Sequence, residues 1–290
     1  MNRCKGFTLA EMAVAVVILA LLLFGAMVPF SAQVDIRSVA DTRRTMDSIK
    51  EAIVGFALAN GRLPCAADGS IAAGAPGAGI EQVSGNSCNA AFTFGVIPWV
   101  TLGVPETDAW GRRFSYRVSP VFADTTAAGT WSTTTNPLSP GTQSPACAPN
   151  PLPSAPTSFA LCSLGDIAVF TRTTGAVPAA PLGSALPAVF ISHGKNGLGA
   201  WQSNGTRLPA PAAGTDEAAN VNGNTTATPS GGYASWALYS RDPTPASAGC
   251  ADPAPPPATS GAPLCEFDDT VVMISSSTLI ARMVAAGRLP

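Results

Sequence analysis

The sequence predicts an α+β fold in which a long N-terminal helix packs on an antiparallel β-sheet and a short helix closes the chain. Three observations support this prediction. A stretch without any charged residue extends from Met12 to Phe30. An apolar repeat of helical spacing follows it and continues to about Asn60. The remaining chain alternates short segments rich in Val, Ile, Phe and Tyr with turn-forming Gly, Pro, Asn and Ser.

The long helix is expected to run from Phe7 to about Asn60, a length of roughly 80 Å at about 1.5 Å per residue. Its second half is amphipathic, because apolar residues recur there at steps of three, four and seven, namely Val39, Met46, Ile49, Ile53 and Phe56. Asn60 and Gly61 form a typical helix end, and Pro64 prevents the helix from continuing.

The uncharged stretch is long enough, at about 1.5 Å per residue, to cross a hydrocarbon core of about 30 Å. Arg3 and Lys5 precede it, so the N-terminus is expected in the cytoplasm and the rest of the chain outside. A cleaved secretory signal is disfavoured, because the apolar run is too long and no small-residue cleavage site follows it. A simple membrane anchor leaves Glu11 without a partner in this segment, and a carboxylate inside a bilayer is costly when it is alone.

The chain after the long helix is predicted to form a head of short strands and long loops. The expected strands are Phe114–Ser119, Asp166–Arg172, Ala188–Ser192, Ser235–Ser240 and Thr270–Ser275. A final helix is expected from about Ser277 to Ala286. The segments dominated by Ala, Pro, Gly, Ser and Thr are predicted loops, namely Ala66–Gly79, Thr125–Pro156, Pro209–Gly232 and Pro243–Pro263. Residues 206–232 contain no cysteine and are expected to be the most mobile of these.

Six of the seven cysteines lie in the head, behind the apolar segment, and Cys4 lies before it. The six are Cys65, Cys88, Cys147, Cys162, Cys250 and Cys265. An even set in loops behind an export segment predicts structural disulfides in an oxidising compartment. A zinc site is disfavoured, because there is no C-x-x-C pair and the chain has one histidine. Pairing of neighbours in the sequence is favoured since it closes short loops, although the sequence leaves the connectivity open.

The head offers little for catalysis or cofactor binding. The chain has a net charge of −2, so a basic surface for nucleic acid is not expected. His193 has no catalytic motif around it, and a structural role is favoured. Glu266–Asp269 is the one acidic cluster of the head; it could cap the last strand, be solvated or ligate a cation, and the first two interpretations are favoured. No catalytic residue, metal ligand or cofactor is therefore assigned, and the chain is not expected to be an enzyme.

The segment Lys5–Glu11 reads K-G-F-T-L-A-E and resembles the processing site of type IV prepilins and the related pseudopilins. The resemblance implies that a membrane prepilin peptidase cuts after Gly6 and that Phe7 becomes the N-methylated terminus. It also implies that Glu11, the fifth residue of the processed chain, meets the terminal amine of a neighbouring subunit during filament assembly. The physics agrees, because an amine and a carboxylate stabilise each other where the dielectric constant is low.

The resemblance implies a pilin-like organisation with a leader at 1–6, a transmembrane or filament-core helix at 7–30, an amphipathic half at 31–61 and a periplasmic head at 62–290. The expected function is that of a minor pilin or minor pseudopilin in a type IV pilus or type II secretion-type filament. Its partners would be the prepilin peptidase, other pilins or pseudopilins and the bacterial inner membrane, crossed once with the N-terminus in the cytoplasm. After assembly the subunit would lie in a filament or at the cell surface.

A second interpretation is a membrane-anchored periplasmic protein that binds a sugar or peptide, or a hydrolase. It rests on the long loops, which often carry binding function, and on three tryptophans that could stack on a ligand or could equally belong to the core, namely Trp131, Trp201 and Trp236.

Two shorter segments resemble parts of major pseudopilins. Residues 108–116 carry a D-x-W-G-x-x-aromatic-x-Y pattern, which implies the opening of a sheet. Residues 190–199 stand where major pseudopilins have a calcium loop. This chain departs from that loop, because Lys195 lies in its middle and no Asp or Glu lies between Ser192 and Gln202. A turn between strands is therefore expected there, without a metal.

Overall fold

The computed structural model describes residues 8–85, 87–92, 94–123, 158–159, 161, 163–172, 180–222, 224–227, 235–252 and 263–289. Its helices are α1 (Leu9–Asn60), α2 (Trp99–Leu102), α3 (Pro120–Ala123), α4 (Asp216–Asn222) and α5 (Ser276–Ala285), with a 3-10 turn at Ala90–Phe92. Its strands are β1 (Val83–Ser84), β2 (Ser87–Cys88), β3 (Phe94–Val96), β4 (Ser115–Val118), β5 (Ile167–Thr171), β6 (Ala180–Leu186), β7 (Ala188–Ser192), β8 (Asn224–Ala227), β9 (Ser235–Tyr239) and β10 (Thr270–Ile274). The mixed α and β content and both terminal helices confirm the general fold prediction.

Helix α1 ends where the sequence predicts. Gly61 adopts a left-handed conformation with φ of 70°, and its N–H donates to the carbonyl of Ala57 at 2.8 Å. A residue with a Cβ would be strained in this position, so glycine stops the helix here. Among the residues that the structure describes, no helix is both long and apolar enough to cross a membrane.

The described strands of the head form two four-stranded sheets, where the sequence predicts a single antiparallel sheet. The first sheet has the order β10–β7–β4–β3 and is antiparallel throughout. The second has the order β6–β5–β9–β8, and its central pair, β5 with β9, is parallel. Strands β1 and β2 form a separate small hairpin. The sequence does not predict the second sheet, because the residues of β6 and β8 lack the alternating apolar pattern that is typical of strands.

Successive side chains on the strands of the first sheet point to opposite faces and therefore belong to two separate cores. One core joins the apolar stripe of α1 to one face of this sheet and to α5, and it includes Met46, Ile49, Ile53, Tyr116, Phe190, Ile274, Leu279 and Met283. The other core lies between the two sheets and includes Ile167, Val169, Leu186, Val189, Ile191 and Leu238. The period of two residues in β7 explains the division, because neighbouring residues point to opposite faces. The head is therefore layered as helix, sheet and sheet.

Several predicted elements of the head are present. Strands β4, β5, β7, β9 and β10 and helix α5 agree with the predicted segments to within one or two residues. The loop predicted at 206–232 is wrong in part, because α4 lies inside it with Asp216, Asn220 and Val221 buried. That helix buries polar side chains and therefore lacks the apolar repeat that would have predicted it.

Among the described residues there are two disulfides, and both join cysteines that are neighbours in the sequence. Cys65 pairs with Cys88, and Cys250 pairs with Cys265. Cys65 is fully buried a few residues after the end of α1, so its disulfide fixes the β1–β2 hairpin beside the helix end. The pairing expected between Cys147 and Cys162 lies outside the described residues.

The end of the chain returns to the end of α1. Gly61 and Gly287 both adopt left-handed conformations, and each is followed by Arg and Leu. Leu63 and Leu289 are both buried in the core that contains α1. The guanidinium of Arg288 donates from Nη2 to the carbonyl oxygen of Ala59 at 2.7 Å. The last turn of α1 therefore gains a hydrogen-bond partner that its own helix cannot supply.

The packing of α1 predicts a clear contrast between two isoleucines on the same helix. Ile53→Ala removes a side chain with no exposed surface and should lower the free energy of unfolding by about 2–5 kcal/mol. The control is Ile36→Ala, because Ile36 is 69% exposed and its loss should change stability by about 0.5 kcal/mol or less. Urea denaturation of the detergent-solubilised full chain measures both. Equal losses would contradict the packing described here.

Candidate functional site

The beginning of α1 is closed by a capping box made by Thr8 and Glu11. The backbone N–H of Thr8 donates to Glu11 Oε2 at 2.8 Å, and its hydroxyl donates to the same oxygen at 2.9 Å. In return, the N–H of Glu11 donates to Thr8 Oγ1 at 3.3 Å. Glu11 thus has a partner within its own segment, contrary to the sequence interpretation. The signal was present in the spacing, because Thr or Ser followed by Glu three residues later is typical of this cap.

The capping box gives the Glu11 carboxylate a defined position at the N-terminal end of the helix. Negative charge is favoured there by the helix dipole. The side chains around it are exposed, with Leu9 at 92%. Both hydrogen bonds that Thr8 donates to the carboxylate end on Oε2. Gly6 and Phe7 lie outside the described residues.

The D-x-W-G turn joins α1, the first sheet and the turn after β7. Asp108 Oδ1 accepts the N–H groups of Trp110 at 2.9 Å and Arg112 at 3.0 Å, and Oδ2 accepts the hydroxyl of Ser192 at 2.7 Å. The N–H of Ala109 donates to Thr42 Oγ1 on α1 at 3.2 Å. Burial raises the pKa of Asp108, and these hydrogen bonds oppose the rise. The turn is thus a structural junction that orients β4 on the helix.

His193 lies in a buried chain of polar side chains. Its Nε2 is 2.8 Å from Ser115 Oγ, and its Nδ1 is 3.2 Å from Asp269 Oδ1. This order of Ser, His and Asp resembles that of a hydrolase triad. Here the serine is 4% exposed and the histidine is fully buried, so the hydroxyl faces the protein interior. Ser192, next to His193 in the sequence, bonds Asp108 instead.

Asn220 extends this chain to α4 and the second sheet. Its amide Nδ2 donates to Asp269 Oδ2 at 2.8 Å and to the carbonyl of Tyr239 at 2.9 Å. Its Oδ1 accepts the N–H of Tyr239 at 2.7 Å. One buried amide therefore holds α4 against both β9 and the start of β10. The role of Asn220 could not be predicted from the sequence. The residue lies in a segment predicted to be a loop, and its partners Tyr239 and Asp269 are 19 and 49 positions away.

Three carboxylates meet where α4 approaches the turn after β7. Oxygens of Glu217, Asp268 and Asp269 lie within 4.8 Å of one another, a spacing at which they could hold a metal ion. Asp268 N–H donates to Glu217 Oε1 at 3.0 Å. The backbone N–H of Asn196 donates to Asp268 Oδ2 at 2.8 Å, and its amide donates to Glu217 Oε1 at 3.1 Å. These hydrogen bonds already occupy part of the acceptor capacity of the cluster.

The cluster corrects the expectation for Asp269 and shows which acidic side chains lie beside the turn after β7. Asp269 was expected to cap a strand or to be solvated, yet it is 6% exposed and bonded to His193. The turn after β7 has no acidic residue of its own, but Asp268 accepts the backbone N–H of Asn196 and Glu217 accepts its side-chain amide. The sequence could not predict this cluster, because the fold brings Glu217 and Asp268 together although they are 51 positions apart.

Glu217 is protonated more readily than an ordinary glutamate. Burial raises its pKa to about 8, Asp269 adds to the rise, and the hydrogen bond from Asn196 opposes it. A raised pKa is expected where carboxylates share a buried site, because the charged forms repel one another. The neutral form of Glu217 therefore predominates at pH 7 and limits the negative charge of the cluster.

A second buried group holds the disulfide loop of Cys250 and Cys265. Asp216 contacts Arg172 Nε at 3.0 Å and Arg241 Nε at 2.9 Å. Asp252 Oδ2 lies 3.4 Å from Arg241 Nη2, and its Oδ1 accepts the N–H of Cys265 at 3.0 Å. Burial and then the charge of Asp252 raise the pKa of Asp216 to about 6. These contacts hold Asp252 and Cys265 beside the N-terminal end of α4.

The tryptophans expected as stacking platforms have different environments. The ring of Trp236 lies 3.9 Å from the guanidinium carbon of Arg117, which also pairs with Asp166. Trp201 is half-buried, with the guanidinium of Arg207 5.6 Å from its ring centre. Trp131 lies outside the described residues. Both described rings thus already contact an arginine of the head.

The carboxylate cluster predicts a pH-dependent contribution to stability. Below pH 4.5 Glu217 is protonated in both the folded and the unfolded chain. Between pH 4.5 and about pH 8 the folded chain keeps this proton, whereas the unfolded chain releases it. The stabilisation that this proton gives is thus lost as the pH rises through about 8. Glu217→Gln should flatten the decline of unfolding free energy, measured by urea denaturation from about pH 5 to about pH 9.

The matched control is Glu51→Gln, because the side chain of Glu51 is 66% exposed on α1. This variant should keep the slope of the unmodified chain. Asp216 titrates in the same direction but is present in all three proteins, so it does not affect the comparison. Identical slopes for Glu217→Gln and the unmodified chain would contradict the proposed protonation of Glu217.

Comparison with known proteins bears on the N-terminal segment. Residues 1–27 match the family model described as the prokaryotic N-terminal methylation motif. No curated protein and no solved structure matches the chain. The matched range contains Gly6, Phe7 and Glu11 and ends before the head begins. The chain carries a prepilin-type methylation motif and is, in this segment, similar to pilin-like and pseudopilin-like precursors.

Proposed function

We propose that the protein is a minor pilin or minor pseudopilin, processed after Gly6 and assembled through Phe7 and Glu11 into a filament of the type IV pilus or type II secretion type. The observation that carries the proposal is the methylation motif at residues 1–27. The position of Glu11 supports it, because the capping box holds the carboxylate at the end of α1 that a neighbour's terminal amine would approach. Its partners would be the prepilin peptidase and other pilins.

The uncharged stretch from Met12 to Phe30 is proposed as the membrane anchor of the precursor and as the filament-core helix after assembly. Basic residues before it favour a cytoplasmic N-terminus, with residues 62–290 forming the head in the periplasm. The disulfides at Cys65–Cys88 and Cys250–Cys265 support an oxidising compartment. Cys147 and Cys162 are proposed as a third pair.

The head is proposed to act in assembly or display rather than in catalysis. The burial of Ser115 and His193 supports this role, because a nucleophile needs a substrate within reach of its hydroxyl. The buried pairs of Asp216 with Arg172 and Arg241 support it as well, since each side chain already has a charged partner. A bulky head fits a low-copy position in the filament better than a densely packed shaft.

One observation favours the second candidate, a membrane-anchored protein that binds a peptide or sugar. A cleft of about 580 Å³ is lined by residues of α1, of β10 and of the segment that follows β9. Its lining combines charged and apolar side chains, among them Arg43, Asp47, Leu182 and Asp242. This candidate does not require processing after Gly6, so the maturation of the chain distinguishes it from the filament subunit.

The filament proposal predicts the covalent structure of the mature protein. Purified from its native membrane, the chain should begin at N-methylated Phe7, as measured by intact mass and N-terminal sequencing. The cysteines of the two described disulfides should react with a thiol reagent after reduction only. Replacement of Gly6 by a bulky residue should block the cleavage. A mature chain that still begins at Met1 would contradict the filament role and favour the anchored binding protein.

The role of Glu11 predicts a specific assembly defect. Glu11→Ala should leave membrane insertion intact and reduce incorporation into filaments by about tenfold or more, because the neighbour's amine would lose its partner. Thr8→Val should reduce incorporation into filaments less, since it removes only the hydroxyl that orients the carboxylate. Thr8→Ser keeps a hydroxyl and should be incorporated normally. Glu51→Ala is the control, a carboxylate on the same helix that is exposed at the head. Membrane fractionation and immunodetection of sheared filaments separate insertion from assembly, and normal incorporation of Glu11→Ala would exclude the proposed contact.

A further inference from the structure

We draw no further inference here: the strongest candidate, the carboxylate cluster of Glu217, Asp268 and Asp269 between α4 and the segment before β10, belongs to the site already described, and among the described residues nothing besides the cluster itself points to a ligand.

Discussion

The packing of the second half of α1 on the first sheet is the interaction on which the other features depend. Met46, Ile49 and Ile53 are fully buried, and burial of each such side chain is worth about 1.5–3 kcal/mol. The same helix begins after the Thr8 cap and ends before Gly61, so this packing connects the N-terminal segment to the head through one continuous helix. The D-x-W-G turn and the final helix then dock on the surface that the stripe creates.

The head compensates for a sequence rich in Pro and Gly by burying polar groups that are paired. Arg172, Asp216 and Arg241 form one set of buried ion pairs, and His193 forms a buried hydrogen bond with Asp269. Buried ion pairs contribute less net stability than apolar packing of the same volume, but breaking one partner leaves a costly unpaired charge. Within the described residues, these contacts therefore hold α4, the end of β5 and the segment after β9 together.

The parts of the fold that could be predicted from sequence are those governed by local pattern. The end of α1 at Asn60 and Gly61 follows from backbone conformation, and β7 follows from its apolar run. Strand β6 contains Pro181 and Gly183 and was not predicted, because its pairing with β5 comes from tertiary contact. The capping box was readable from its spacing of three residues, whereas His193 and Asp269 are 76 positions apart and leave no local signal.

Two polar contacts, one at each end of the part of α1 that packs on the head, have a mechanical consequence. Lys195 pairs with Asp35 at one end, and Arg288 bonds the carbonyl of Ala59 at the other. The exposed ion pair alone is worth about 1 kcal/mol or less. A force that pulls along the helix axis would nevertheless act in shear on both contacts and on the apolar stripe between them at the same time. The helix should therefore resist being drawn out of the head more strongly than being peeled from it one contact at a time.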